Sequence, residues 1–271
     1  MNINGETKII GFLGSTYQTS KMYALYNATF AALHLNFVYI PLVATGAKKA
    51  ADAIRHLGIH AVGVTIPYKI SVAQYLDELD QKAERIGAVN AIINKNGKLT
   101  GSNTDGDGGI LALKEKTPVK GKKVLLLGAG GTARAFAFAI KDNGGKLTIL
   151  NRTAKRAQQL AASIHCQFDG LGKLAFHLQE TDILINATSV GMTPNTNQSL
   201  VTKKLLSKRL VVLDIVSHPK ETKLLKEAKE MGCQVVPADR MLLWQGILKF
   251  KIFTGVKPPV NIMEKIMKGL N

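Results

Sequence analysis

Lys123–Ala135 reads KVLLLGAGGTARA, and the fold is decided here. Val124–Leu127 is a short unbroken apolar run, the pattern of a buried strand. The residues after it predict a helix over Thr132–Asn143. Between strand and helix, Gly128-Ala129-Gly130-Gly131-Thr132-Ala133 fits G-x-G-x-x-A. Gly128 permits the tight turn, Gly130 lets the backbone approach a pyrophosphate, and Ala133 lets the helix pack closely on the strand. The helix start then offers its first N–H groups and the positive end of its dipole to phosphate. A glycine pattern set between a strand and a helix is far more specific than the pattern alone. It predicts a dinucleotide-binding unit.

Moving outward, the next strand signal is Lys146–Leu150, which runs into Asn151-Arg152-Thr153, with Arg156 four residues after Arg152. An acid at this point would hold the ribose 2′-hydroxyl of NAD. The chain has none there. An amide, a hydroxyl and two guanidinium groups suit a 2′-phosphate, so NADP is the expected cofactor; the alternative is that Arg152 and Arg156 form a solvated helix start. Ala154–Ile164 and Glu221–Met231 then read as helices, and Ile183–Ala187, Leu210–Val216 and Gln234–Val236 as strands. Their alternation predicts a parallel sheet covered on both faces. The unit is expected over residues 106–238, with a helix at Leu111–Lys116 and a break at Pro118–Gly121.

Residues 1–105 read as a second α/β unit. Lys8–Leu13, Phe37–Val43 and His60–Ile66 are strand signals, and Gly14–Thr19 is a loop. Ser20 is an N-cap candidate for a helix reaching about His34, with Met22, Leu25, Tyr26, Thr29, Phe30 and Leu33 on one face. Ala47–Leu57 is a helix ended by Gly58. Ala88–Ile93 and Lys98–Gly101 flank Asn96-Gly97, a hairpin signal. The tail, 239–271, carries two helical patterns separated by Pro258-Pro259 and is expected to complete this first unit.

Composition narrows the function classes. The 271 residues are 46% hydrophobic and 20% charged, an ordinary globular balance. The apolar runs are too short to span a membrane. Met1–Lys8 lacks the basic region and apolar run of an export signal, so a cytoplasmic protein with Cys166 and Cys233 reduced is expected. The net charge is +17, but Lys and Arg are scattered and not interleaved with aromatics. That favours a basic surface attracting small anions over nucleic-acid binding. His56 and His60 stand at i, i+4, but Gly58 between them and the lack of a nearby acid or cysteine cluster argue against a metal. Oligomeric state is not legible.

Seven segments, in order, resemble the shikimate dehydrogenase family across nearly the whole chain: Gly63–Lys69 (GVTIPYK), Ile86–Ala91 (IGAVNA), Gly101–Gly106 (GSNTDG), Gly128–Ala135, Asn151–Thr153, Asn186–Met192 (NATSVGM), and Met241-Leu242 with Gln245. The resemblance implies an N-terminal α/β substrate domain plus an NADP-binding Rossmann domain. It implies reversible hydride transfer between NADP and C3 of shikimate, giving 3-dehydroshikimate in the aromatic amino acid pathway. It makes Lys69 and Asp105 the catalytic pair, Lys69 taking the hydroxyl proton and Asp105 fixing the geometry. It gives Ser20, Met22, Thr65, Asn90 and Gln245 to the substrate. The cofactor falls to Gly128, Ala129, Gly130, Gly131, Thr132, Ala133, Asn151, Arg152, Thr153 and Arg156, with Thr188 and Met241 toward the nicotinamide side.

The departures concentrate at the carboxylate end of the expected substrate. The family pattern S-x-S-P followed by H-N is here Ser20-Lys21-Met22-Tyr23, then Tyr26-Asn27. A thioether cannot donate to a carboxylate, and losing one such bond costs about 1.5–3 kcal/mol. Lys21 and Tyr23 are candidates for a substitute contact. The family's asparagine before Val64 is Gly63, a tyrosine expected near Pro219 is Ser217, and Ala238-Asp239-Arg240 replaces a glycine-containing turn. Two other readings follow: a relative acting on quinate or another cyclic hydroxy acid, and a non-catalytic NADP-binding module.

Overall fold

The computed structural model describes residues 3–17 and 20–270, so the expected Gly14–Thr19 loop lies outside the described residues at Gln18 and Thr19. The chain divides into two compact units, one running up to Thr104 and resuming at Gln245, the other Asp105–Trp244.

The first unit opens with β1 (Lys8–Gly14), α1 (Lys21–Ala32), β2 (Phe37–Val43), α2 (Ala47–His56) and β3 (Ala61–Val64). A short helix α3 (Tyr68–Ser71), strand β4 (Glu78–Leu79) and helix α4 (Gln81–Ile86) follow, then the hairpin β5 (Ala91–Lys95) and β6 (Lys98–Ser102). The sheet order is β2-β1-β3-β5-β6-β4. β1, β2 and β3 run parallel, and β5 is antiparallel to both β3 and β6. Asn96 and Gly97 both take positive φ, 53° and 87°, the two-residue turn that matches strand twist. Ser20 caps α1 by accepting from the Met22 N–H at 3.2 Å. Leu13, Val62, Val64, Ile54 and Ile92 form the core on one face of the sheet. On the other, Tyr26, Phe30, Tyr39, Phe250 and Phe253 make an aromatic cluster with ring centroids 4.7–6.1 Å apart.

The second unit begins at Asp105, the first residue of α5 (Asp105–Lys114). The expected start at Leu111 was late because Gly106, Gly108 and Gly109 weaken the helical signal. They are there for packing: a Cβ on Gly106 would collide with the Ala135 carbonyl, and one on Gly109 with the Phe136 ring. β7 (Lys123–Leu127), α6 (Gly131–Asp142), β8 (Lys146–Asn151), α7 (Ala154–Ile164), β9 (Gln167–Gly170), α8 (Leu174–Leu178), β10 (Ile183–Asn186), β11 (Val211–Asp214), α9 (Lys223–Glu230) and β12 (Gln234–Val236) follow. All pairs in this sheet are parallel, in the order β12-β11-β10-β7-β8-β9. The order reverses between β7 and β10, and ligands of such sheets bind in the crevice beyond the strand ends at that point. α10 (Ala238–Thr254) contains the second boundary, and α11 (Val260–Gly269) packs on α1.

Both cysteines are free thiols. His56 and His60 each place a ring nitrogen 2.7 Å from a backbone carbonyl, of Asp52 and Phe253 respectively. Among the described residues no helix is long and apolar enough to cross a membrane.

Candidate active site

In the first unit, buried polar residues converge from three segments. Asn90 is fully buried just before β5. Its Nδ2 donates to Thr104 Oγ1 at 3.1 Å and to Gln245 Oε1 at 3.3 Å, while its Oδ1 accepts from the Thr104 N–H at 3.0 Å. Thr104 Oγ1 also lies 3.3 Å from the Gln245 carbonyl. Residues 155 positions apart thus share one amide network. Buried polar groups are stable only when so paired, and the network fixes the rotamers that a polyol would meet. Thr104 was not expected in this cluster; its signal was only its place in the Gly101–Gly106 motif.

Thr65 follows β3, its N–H donating to the Leu13 carbonyl at 3.0 Å. Lys69 is half-buried in α3. Its helix is pinned on both sides: Tyr68 Oη donates to the Ala44 carbonyl at 2.6 Å, and the Lys69 carbonyl accepts from Val89 N–H at 2.6 Å. α3 is four residues long, too short for a periodic signal, and sequence patterning did not reveal it. Ser20 is partly exposed at the α1 cap, whereas Met22 is buried and lays its Cε against Gly246 of α10.

The nucleotide end of the second unit is built from backbone. Gly128 has φ +116°, and a Cβ there would sit 2.9 Å from the Ala187 carbonyl, so only glycine brings β7 and β10 this close. Gly130 is the N-cap of α6 with no side-chain cap bond, and a Cβ there would meet nothing within 4 Å. Gly130 is exposed, Ala129, Gly131 and Thr132 are partly exposed, and Ala133 is buried. Thr153 caps α7, likewise without a side-chain cap bond, and Arg152, Thr153 and Arg156 are exposed around that helix start. Asn151 Nδ2 bonds the Thr153 carbonyl at 3.0 Å, shaping the turn. Two uncapped helix starts, one open at glycine and one ringed by guanidinium groups, fit a dinucleotide carrying an extra phosphate.

Asp105 is 2% exposed at the first turn of α5, where the helix dipole favours its charge, and Thr132 Oγ1 lies 3.4 Å from its Oδ2. Met241 is buried on α10, whose start is tied down by Arg240 and Trp244, both donating to Glu115.

Beneath Thr188 is a chain of bonds that motif reading did not assign. Asp214, fully buried at the end of β11, accepts from Asn186 Nδ2 at 3.0 Å, Val216 N–H at 3.0 Å and Thr222 Oγ1 at 2.7 Å. Asn186 Oδ1 in turn accepts from Thr188 Oγ1 at 2.7 Å, and Thr188 Oγ1 from Val190 N–H at 3.1 Å. Burial pushes the Asp214 carboxyl up to about 6, its three hydrogen bonds offsetting only part of that.

Fold and site together define a Rossmann-type dinucleotide-binding protein with an added α/β unit that carries a buried polar cluster. The sequence profile described as "Shikimate dehydrogenase substrate binding domain" matches residues 12–92, "Shikimate / quinate 5-dehydrogenase" matches 110–232, and "Shikimate 5'-dehydrogenase C-terminal domain" matches 240–268. The chain belongs to the shikimate dehydrogenase family. It is 41% identical to the shikimate dehydrogenase (NADP(+)) of Carboxydothermus hydrogenoformans, over 98% of each chain. A shikimate dehydrogenase solved with NADP+ superposes with a TM-score of 0.93 at 38% identity, covering 99% of this chain and 97% of that one. The Thermus thermophilus enzyme, solved with NADP(H) and shikimate, gives a TM-score of 0.89 at 32% identity, covering 97% of this chain and all of its own.

Proposed function

We propose that the chain is an NADP-dependent oxidoreductase of the cytoplasm that interconverts shikimate and 3-dehydroshikimate. The observation that carries this reading is the buried Asn90–Thr104–Gln245 network in a chain that also presents the open glycine start of α6. Amides and hydroxyls locked in this way suit a ring of hydroxyl groups. Gly128–Thr132 and the start of α7, with Arg152 and Arg156, would hold the cofactor's phosphates. NADP, when bound, supplies the hydride acceptor for oxidation and the donor for reduction.

The protein's own residues do the rest. Lys69 Nζ takes the proton from the hydroxyl that becomes the ketone and returns it in the reverse direction. Asp105 holds a fixed carboxylate that orients the reacting groups. Thr65, Asn90 and Gln245 hold the ring hydroxyls, and Ser20 reaches the acid group.

Lys69→Ala is expected to lower turnover by about 10²–10⁴-fold while NADP binding, followed by fluorescence, stays intact. Turnover equal to the parent would sink this role. A panel of shikimate, quinate and other cyclic hydroxy acids with NADP and NAD tests the substrate. Preference for quinate would replace shikimate in the reading, and cofactor binding with no turnover at all would mark a binding module.

A further inference from the structure

Two of the positions that depart from the family pattern, Met22 and Gly63, lie in the first unit, and Gly63 borders an aromatic cluster. Met22 is buried, its methyl group against Gly246. Gly63 sits on β3 opposite Phe12 of β1. Tyr39 reaches over β1 from β2, so that a Cβ on Gly63 would lie 2.8 Å from Tyr39 Oη and 3.4 Å from the Phe12 ring. An asparagine at 63 could not coexist with this tyrosine rotamer; glycine is what admits the hydroxyl. Tyr23, in the first turn of α1, packs on the same two rings, with centroids 5.6 Å from Tyr39 and 5.8 Å from Phe12.

The hydroxyls of Tyr23 and Tyr39 are both buried, and neither has a hydrogen-bond partner among the described residues. Tyr39 is 2% exposed as a whole residue. The cluster does satisfy its third phenol: Tyr26 Oη donates to the Gly246 carbonyl at 3.0 Å. Buried hydroxyls left unpaired are costly and call for a ligand or water to complete them. Their neighbours say which. Tyr23 N–H lies 3.4 Å from the carbonyl of Ser20. Gly63 is two residues before Thr65, hence on the same side of the strand path.

We propose that Tyr23 and Tyr39 contact the substrate directly, donating their hydroxyls to the carboxylate of the cyclic acid where Met22 and Gly63 offer no donor. This rests on the reading that the substrate is a cyclic hydroxy acid. Burial raises both phenols above the usual tyrosine range, Tyr39 well above it, so both stay protonated and able to donate. The outcome is a carboxylate site made of neutral phenols and one serine.

The test is Tyr23→Phe, Tyr39→Phe and the double variant, assayed with shikimate, shikimate methyl ester and NADP+. Phenylalanine keeps the ring packing, so folding is preserved. Each single change is expected to raise KM for shikimate by about tenfold and leave KM for NADP+ unchanged. KM for the ester should move by less than about threefold. The thermal shift produced by shikimate should shrink while the ligand-free Tm holds or rises, because an unpaired hydroxyl has been removed. An unchanged shikimate KM in the double variant, or an equal rise on acid and ester, overturns the proposal. Failure of the parent protein to turn over any cyclic acid overturns the functional reading, and this one with it. The first failure is seen in variants of an active enzyme and the second in the parent, so the two are distinguishable.

Discussion

The glycine-rich end of β7 and the buried end of the β5–β6 hairpin are both read as ligand-facing, but they are made of opposite materials. At β7 the groups proposed to meet phosphate are backbone N–H groups at the start of α6, which has no side-chain cap bond. They depend on what side chains are not there: Gly128 and Gly130. In the other unit the groups proposed to meet the substrate are side chains, and those of Asn90, Thr104 and Gln245 hold each other. A backbone site tolerates drift in most of its side chains and binds a common group. A side-chain site changes its ligand with each substitution. The departures at Met22 and Gly63 fall in the unit of the second kind, where they are proposed to bear on specificity for the acid and not on the nucleotide.

The comparison can be pressed hardest at Asp214, the buried carboxyl that anchors Asn186 and through it the nucleotide unit's Asn186–Val190 turn. Its folded carboxyl binds a proton more tightly than the unfolded one, since burial has raised it to about 6. This group therefore contributes stability below about pH 4 that is lost as pH rises through 6. Asp214→Asn removes the titration. Urea unfolding from pH 4 to 7 should show the variant gaining on the parent by up to about 3 kcal/mol across that window. Parallel curves would mean that the carboxyl is not desolvated as the fold implies.

Next in size is the 2′-phosphate end. Arg152→Ala should raise KM for NADP by about 10–100-fold, the range for a lost bond to a charged group, with KM for NAD nearly unchanged. An equal loss on both cofactors would place Arg152 elsewhere. The two glycines should then separate. Gly128→Ala forces a side chain to φ +116° against the Ala187 carbonyl and should lower stability by about 1–3 kcal/mol. Gly130→Ala has room for its methyl, so Tm should hold while NADP binding weakens. Identical behaviour of the pair would break the idea of a backbone-built site. The smallest effect belongs to Ser20→Ala, which removes the α1 cap at about 1 kcal/mol and raises KM for the cyclic acid but not for NADP.

Legibility followed the distance along the chain. The β7–α6 unit, the Asn96-Gly97 hairpin and the α7 bounds at Ala154–Ile164 could be read because each signal lies within one short window. The short helices α3, α4 and α8 and strands β4 and β9 span two to six residues. No periodicity can establish itself over that length. α5 was half-hidden by glycines whose purpose is to meet Ala135 and Phe136, a fact of packing and not of propensity.

By itself, then, the sequence determined a nucleotide unit with an NADP-type phosphate end, because the tight turn, the close approach and the charge preference belong to neighbouring residues. It also marked Lys69 and Asp105 within their motifs as the residues to test. Only the tertiary structure decided that Thr104 and Gln245 share one network with Asn90, that Asp214 anchors the turn at Thr188, and that Gly63 makes room for Tyr39. Those contacts join residues 14 to 155 positions apart. Their energies come from burial and hydrogen-bond pairing, which exist only once the chain has closed around them.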